Sequence, residues 1–392
     1  MTERRPGAAS DRPRVLMVSK ACYVAAYRQK LTELADIGVD LTLIAPPYWQ
    51  FRDGRAPFEP GEDRGYRIVL ANAAFNGGHH VHFYPGLPRL IAALRPDLLH
   101  LDEEPYDLVT YLGLRAAERA GIPAMFFTWQ NLDRRFPPPF GWIERYVLRR
   151  AAGGQAGNAT AAAILRRKGL RGDLAVIPQF GVDPRVFQPA GDRPAERRRG
   201  GPAPLRIGYL GRLVPEKGLW VLLEAVAALP GDWTLDIIGS GPLGAELAAA
   251  ARNRGLDARV RIRPPVGSQA VPDTLRQLDV LVLPSLTTSN WQEQFGRVLI
   301  EAMACGLAVV GSDSGEIPHV IGEAGRVVPE GQPDALRSAL ADLMDPRLRC
   351  SLGERGVERV RAHFTHRRIA EDTLALYRRI LAPARRRGGN DG

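Results

Sequence analysis

At 392 residues, with 45% hydrophobic and 24% charged side chains, the chain is too long for one ordinary core and suits two globular domains; no apolar run nears the ~20 residues of a membrane helix. The net charge of +10 falls before residue 205 and after residue 382, while 205–382 is neutral, which argues against nucleic acid and leaves a basic first half suited to an anionic membrane, to a phosphorylated acceptor, or simply to solvation. The start, MTERRPGAASDRPRVLMVSK, lacks an apolar signal core, and Cys22, Cys305 and Cys350 form neither a zinc spacing nor a disulfide framework, so a cytoplasmic location is expected, with the inner membrane face open to peripheral contact.

In chain order, PRVLMVS (13–19) reads as a strand, followed by a helical pattern from about Tyr23 to Ile37. Further strands are predicted at VDLTLIAP (39–46), RIVLANA (67–73), PDLLHLDE (96–103) and IPAMFFTWQ (122–130). LVTYLGLRAAERAG (108–121) reads as a helix ended by Gly121. Strands alternating with helices predict a parallel sheet covered on both faces. His79, His80 and His82 lie in a Gly-containing loop that reads as solvated or as a ligand cluster. Asp102, Glu103 and Glu104 end a predicted strand; they are placed either to bind a ligand or to complement the dipole of a following helix.

PAGDRPAERRRGGPAP (189–204) has no apolar periodicity and reads as a linker. The same grammar then restarts with LRIGYLGRL and runs through WTLDIIGSGP, ARVRIRPPV, DVLVLPS and LAVVGSD, with helical patterns between. A last helical stretch, 367–381, follows a break at HFTH and is placed to pack back on the first domain. The expected fold is α/β, with two doubly wound Rossmann-like domains, 12–185 and 205–365, joined by a linker at 186–204 and facing a central cleft. Ligands of such sheets bind outside the carboxyl ends of the strands.

Three motifs carry chemistry. GSGPLG (239–244) has the dinucleotide spacing, yet it follows the second strand of its half, and the next strand ends in Arg and Pro with no carboxylate for a ribose. A tight turn that needs small residues explains its glycines equally well. GYLGRLVPEKG (208–218) places Arg212 and Lys217 after a strand and before a helix, an arrangement that suits a diphosphate or a solvated loop. NWQEQFGRVLIEAMACG (290–306) holds Glu293 and Glu301 eight positions apart. Eight positions overshoot two helical turns by roughly 80°, so the two carboxylates do not share one helix face. Glu293 is therefore expected in the loop, Glu301 in the early helix, and Phe295, Gly296 and Arg297 at its N-terminus. No His or Asp completes a metal set here, and each carboxylate can accept hydrogen bonds from a vicinal diol.

Together GRLVPEKG, the GSGP turn, DVLVLPS, EQFGRVLIEAMACGLAVVGSDSGEIPHVI and EAGRVVP, in that order, resemble the retaining nucleotide-sugar glycosyltransferases of family 4, which have the GT-B fold. The resemblance covers about 205–345. It implies that Arg212 and Lys217 hold the donor diphosphate beside Gly211 and Gly239, that Glu301 grips the ribose, and that Glu293 lies against the transferred sugar. Phe295 and Gly296 would present N–H groups to sugar or phosphate, next to Arg297, and the base would lie along Arg263 to Val266. It also implies no metal and no cofactor beyond the nucleoside diphosphate sugar itself. Residues 127–154 resemble a subset of bacterial envelope-sugar transferases.

The first half departs from the family pattern. No Gly-Gly turn follows its first strand. Where many relatives place a His, the strand ends in Thr128, Trp129, Gln130 and Asn131. Glu103, Glu104, Gln130 and Asn131 are the candidates for the acceptor side. The expected activity is metal-independent, retaining hexosyl transfer to a saccharide or lipid-linked acceptor in envelope polysaccharide or glycolipid synthesis. The alternatives are an epimerase or phosphorylase on the same fold, and a nucleotide-sugar binding protein without turnover.

Overall fold

The structure, a computed structural model, describes residues 12–191 and 204–382. Most of the expected linker and all of the basic tail lie outside the described residues. The chain divides into two compact units. One runs to Gln179 and resumes at Ile369; the other spans Phe180 to Arg368. Residues 180–185, grouped with the first domain on sequence, thus belong to the second unit, where Val182 bridges to Thr365 and its N–H donates to the Phe364 carbonyl.

The first unit contains β1 (Arg14–Val18), β2 (Asp40–Ala45), β3 (Tyr48–Phe51), β4 (Gly54–Pro57), β5 (Arg67–Leu70), β6 (Leu98–Leu101), β7 (Ala124–Thr128), β8 (Gly153–Ala156) and β9 (Asp173–Val176). Seven of these form a parallel sheet in the order β5-β2-β1-β6-β7-β8-β9, and β3 and β4 form a separate antiparallel ribbon. The central strands are continuously apolar because both faces are covered. Alternate residues feed opposite cores. Leu16, Val18, Leu99 and Phe126 pack on one face with the helices Leu108–Ala120 and Phe140–Arg150. Val15, Met17, Leu98 and Met125 pack on the other with Ile369, Ala370, Leu374 and Tyr377 of the helix His366–Leu381.

The helix expected from Tyr23 begins only at Gln29. Residues 21–27 form two 3-10 turns instead. Arg28 explains the difference: its guanidinium is buried and donates to the carbonyls of Cys22, Tyr23 and Glu59, and to Asp63. Carbonyls captured by a side chain are lost to a helical ladder.

The second unit contains β10 (Leu205–Leu210), β11 (Trp233–Ile238), β12 (Val260–Arg263), β13 (Val280–Leu283), β14 (Ala308–Ser312) and β15 (Arg326–Val328). They form one parallel sheet in the order β12-β11-β10-β13-β14-β15. In each unit the strand order reverses beside the first strand, between β1 and β6 and between β10 and β13. The crevice outside the carboxyl ends at such a point is where open α/β sheets bind ligands. No helix among the described residues is long and apolar enough to cross a membrane.

Candidate active site

In the second unit the loops after β10 and β13 meet over the reversal point. Lys217 ends a 3-10 turn, Pro215–Lys217, and Gly218 follows with φ +65°. A Cβ on Gly218 would lie 1.9 Å from the Pro284 carbonyl oxygen, so only glycine lets this loop rest on the end of β13. The Leu286 N–H donates to the Glu216 carbonyl and fixes that contact. Lys217 Nζ then reaches Glu293 Oε2 at 2.5 Å, and Ser285 Oγ donates to the same oxygen at 2.8 Å. Lys217 also lies 4.8 Å from the centre of the Trp291 ring. Glu293 is buried, and its backbone is fixed in turn: its carbonyl accepts from the Glu316 N–H, and its N–H approaches Ser314 Oγ.

The two cations expected to act together have different surroundings. Arg212 is two-thirds exposed and 3.5 Å from Glu216, while its carbonyl accepts from the Tyr209 hydroxyl. Beside it, Gly239 approaches so closely that a Cβ would lie 1.8 Å from the Gly211 carbonyl oxygen. The Leu213 N–H donates to the Ser240 carbonyl, which binds the GSGP turn to the loop after β10. Close backbone packing therefore explains Gly239 and also Gly241, whose Cβ would lie 2.3 Å from the Leu213 carbonyl oxygen, but not Gly244. The Gly239 N–H donates to the Arg263 carbonyl at the end of β12, where Arg263 faces Asp236 at 3.8 Å; Val266 is half-buried in the loop beyond.

Glu293 lies in a loop and Glu301 in the helix Arg297–Ala304, whose N-cap is the left-handed Gly296 and which follows buried Phe295. Glu301 is buried one turn from Arg297, whose Nε is 2.7 Å from Oε1. Burial raises the Glu301 carboxyl above its ordinary pKa, against the pull of Arg297. Each carboxylate of the motif is thus buried against its own cation, a pairing not expected from the sequence.

The first unit repeats this plan. After β1, Ser19 Oγ donates to Asp102 Oδ2 at 2.8 Å, and the Lys20 N–H donates to Glu103 Oε1 at 2.6 Å. Lys20 Nζ bonds Glu103 Oε2 and lies 3.5 Å from Asp107. Asp102 and Glu103 are buried and Glu104 is half-buried, between the end of β6 and the helix Leu108–Ala120. Glu104 accepts from Thr128 Oγ1 at 2.5 Å and from the Trp129 N–H at 2.9 Å, yet burial lifts its pKa to about 7. The Gln130 N–H donates to Thr128 Oγ1, and Asn131 is buried next in the chain. The histidine loop is only partly solvated: His82 is fully buried with Nε2 3.7 Å from Glu103, and His80 bonds Asp107 at 2.8 Å. Lys20 and Asp107 were not singled out in the sequence, where their only signal is position beside a predicted strand end and helix start, while His80 and His82 stood out only as part of the glycine-containing loop.

Residues 204–346 match the family model described as Glycosyl transferases group 1, and residues 24–179 match the Glycosyl transferase 4-like domain. The chain belongs to glycosyltransferase family 4. This family 4 chain is similar to a D-inositol 3-phosphate glycosyltransferase of Streptomyces scabiei, 32% identical over 300 residues, covering 69% of this chain and 66% of the relative. A D-inositol 3-phosphate glycosyltransferase of Mycobacterium bovis is 33% identical over 228 residues, 53% of this chain and 45% of the relative. The chain therefore spans between about half and two-thirds of the length of these curated relatives. Among solved structures, HepE of Anabaena in complex with UDP superposes with TM-score 0.70 at 18% identity, covering 93% of this chain and 99% of HepE. Sucrose-phosphate synthase of Thermosynechococcus elongatus superposes with TM-score 0.68 at 21% identity, covering 95% and 100%. The fold of this family 4 member is accordingly GT-B.

Proposed function

We propose that the chain transfers a hexosyl group from a nucleoside diphosphate sugar to a hydroxyl acceptor, with retention of anomeric configuration and without a metal. The observation that carries this reading is the Lys217–Glu293–Ser285 cluster over the reversal between β10 and β13. One cation and one carboxylate there suit a phosphate oxygen and a sugar hydroxyl respectively. As the glycosidic C–O bond to the diphosphate breaks, negative charge grows on the leaving group. Lys217, Arg212 and the N–H groups at Gly296 are the fixed positive groups that would stabilise it. A phosphate oxygen of the leaving group accepts the acceptor proton as the new bond forms on the same face. Glu301 receives the ribose diol, and Gly239, Arg263 and Val266 line the way to the base.

The acceptor is read as a saccharide or lipid-linked sugar, met by Glu103, Glu104, Gln130 and Asn131 at the reversal point of the first unit. The UDP in HepE and the inositol phosphate in the names of the curated relatives support a nucleotide-sugar donor and a polyol acceptor. The test is an NMR assignment of the product anomer formed from an α-linked donor across an acceptor panel. An α product supports retention and a β product contradicts it. Epimerised sugar or sugar phosphate formed from donor alone points to isomerase or phosphorylase chemistry instead.

A further inference from the structure

The helix Phe140–Arg150 has two unlike faces. Ile143, Val147 and Leu148 are buried in the core of the first unit. Trp142, Arg145, Tyr146, Arg149 and Arg150 fall at i, i+3, i+4, i+7 and i+8, a single outward stripe, and they line a cavity of about 310 Å³. Trp142 is 61% exposed, far more than packing requires of so large an apolar ring. Glu118 on the neighbouring helix takes Arg150 at 2.7 Å and the Tyr146 hydroxyl at 2.5 Å. Among the described residues, Arg145 and Arg149 have no ion-pair or hydrogen-bond partner. Arg115 and Arg119 of the helix Leu108–Ala120 add to the same sign.

The start of this helix adjoins the acceptor-side cluster. The Phe140 ring lies 6.0 Å from that of His80, which bonds Asp107, and Asp107 faces Lys20. An exposed indole beside unpaired guanidinium groups is the pattern of an element lying at a lipid interface, with the ring at headgroup depth and the cations on lipid phosphates. We propose that the outer face of Phe140–Arg150, through Trp142, Arg145 and Arg149, docks on an anionic lipid bilayer. That placement holds the acceptor-side cluster at the membrane surface, where a lipid-linked sugar presents its hydroxyls. The proposal goes beyond glycosyl transfer and survives its failure, because docking requires no turnover.

The test is co-sedimentation of the full chain with vesicles of phosphatidylcholine, alone or mixed with phosphatidylglycerol. Binding is expected only to the mixed vesicles, and added salt should weaken it. Because each surface cation contributes about 1 kcal/mol, Arg145→Ala/Arg149→Ala should weaken binding about 30-fold. Trp142→Ala should weaken it several-fold. Arg252→Ala/Arg254→Ala, an equal charge loss in the second unit, should leave it unchanged. All three sites are exposed, so unaltered thermal unfolding and unaltered nucleoside diphosphate binding would verify the fold. No sedimentation with mixed vesicles, equal binding to phosphatidylcholine, or an equal loss in the Arg252/Arg254 variant would each overturn the proposal. So would retention of RNA or an acidic polypeptide by this face while vesicles are ignored.

Discussion

Lys217 Nζ and Glu293 Oε2 lie 2.5 Å apart and join the two loops at which the order of the second sheet reverses. The residues are 76 positions apart in sequence, and each belongs to a different motif. The pair closes on itself with Ser285, so a donor bound as proposed would have to share Lys217 with its diphosphate and Glu293 with its sugar. Binding there is an exchange of partners between groups already fixed in place, which lowers the cost of organising them.

Lys217→Ala removes the cation from a buried carboxylate. It should lower turnover about 10²–10³-fold, the usual size for losing one charge-stabilising donor. Leaving Glu293 without its cation should also cost about 1–3 kcal/mol of stability. Adding Glu293→Gln should restore most of the stability and none of the turnover. Saturating-donor kinetics and urea denaturation of the single and double variants separate the two effects.

Arg212→Ala should behave differently. Its guanidinium is 65% exposed with Glu216 3.5 Å away, so stability should change by no more than about 0.5 kcal/mol. Turnover should still fall about 10²–10³-fold if the guanidinium meets the leaving group. Unchanged turnover in Arg212→Ala would remove it from the proposed machinery.

Glu104 and His100 give the first unit opposing pH responses. Burial lifts Glu104 to about 7, above its unfolded value. Its folded form therefore binds the extra proton, and stability falls as pH rises from about 4.5 to 7. Burial lowers His100 to about 4 while its ring bonds the Tyr377 hydroxyl, so its effect runs the other way: stability rises with pH between about 4 and 6.5. These two contributions should nearly cancel in the wild-type stability profile across this window. Glu104→Gln should tilt it upward with pH, by about 2–3 kcal/mol in all. Denaturation midpoints at a series of pH values would show the tilt, and a variant that tracks the wild type at every pH would contradict it.

Chelation should leave the reaction intact if, as proposed, Arg212 and Lys217 supply the positive charge that a divalent ion would otherwise bring. Turnover measured with and without EDTA decides the point; strict dependence on added metal would contradict it.

Much of the fold was legible because both sheets are covered on two faces, which writes strands such as Arg14–Val18 and Val280–Leu283 as apolar runs. Gly153–Ala156 was not legible. Its sequence, GGQA, answers a packing demand: a Cβ on Gly153 would lie 2.6 Å from Ile380 of the last helix. The turns at 21–27 were hidden because they depend on Arg28 meeting Asp63 and the Glu59 carbonyl, contacts made by a loop far along the chain. At the site, residue types and loop positions could be read, but partners could not. Lys20 meets Glu103 across 83 positions only because β1 and β6 are neighbours in the sheet.

Calorimetric titration with a panel of nucleoside diphosphates, repeated on Lys217→Ala and Glu301→Ala, examines the placement of the donor in the second unit. One diphosphate should bind the wild type, and Glu301→Ala should weaken it by about 1–3 kcal/mol, as expected when a buried polar partner is lost. Lys217→Ala should weaken it at least as much. Equal affinity in the wild type and both variants would mean that the diphosphate binds elsewhere.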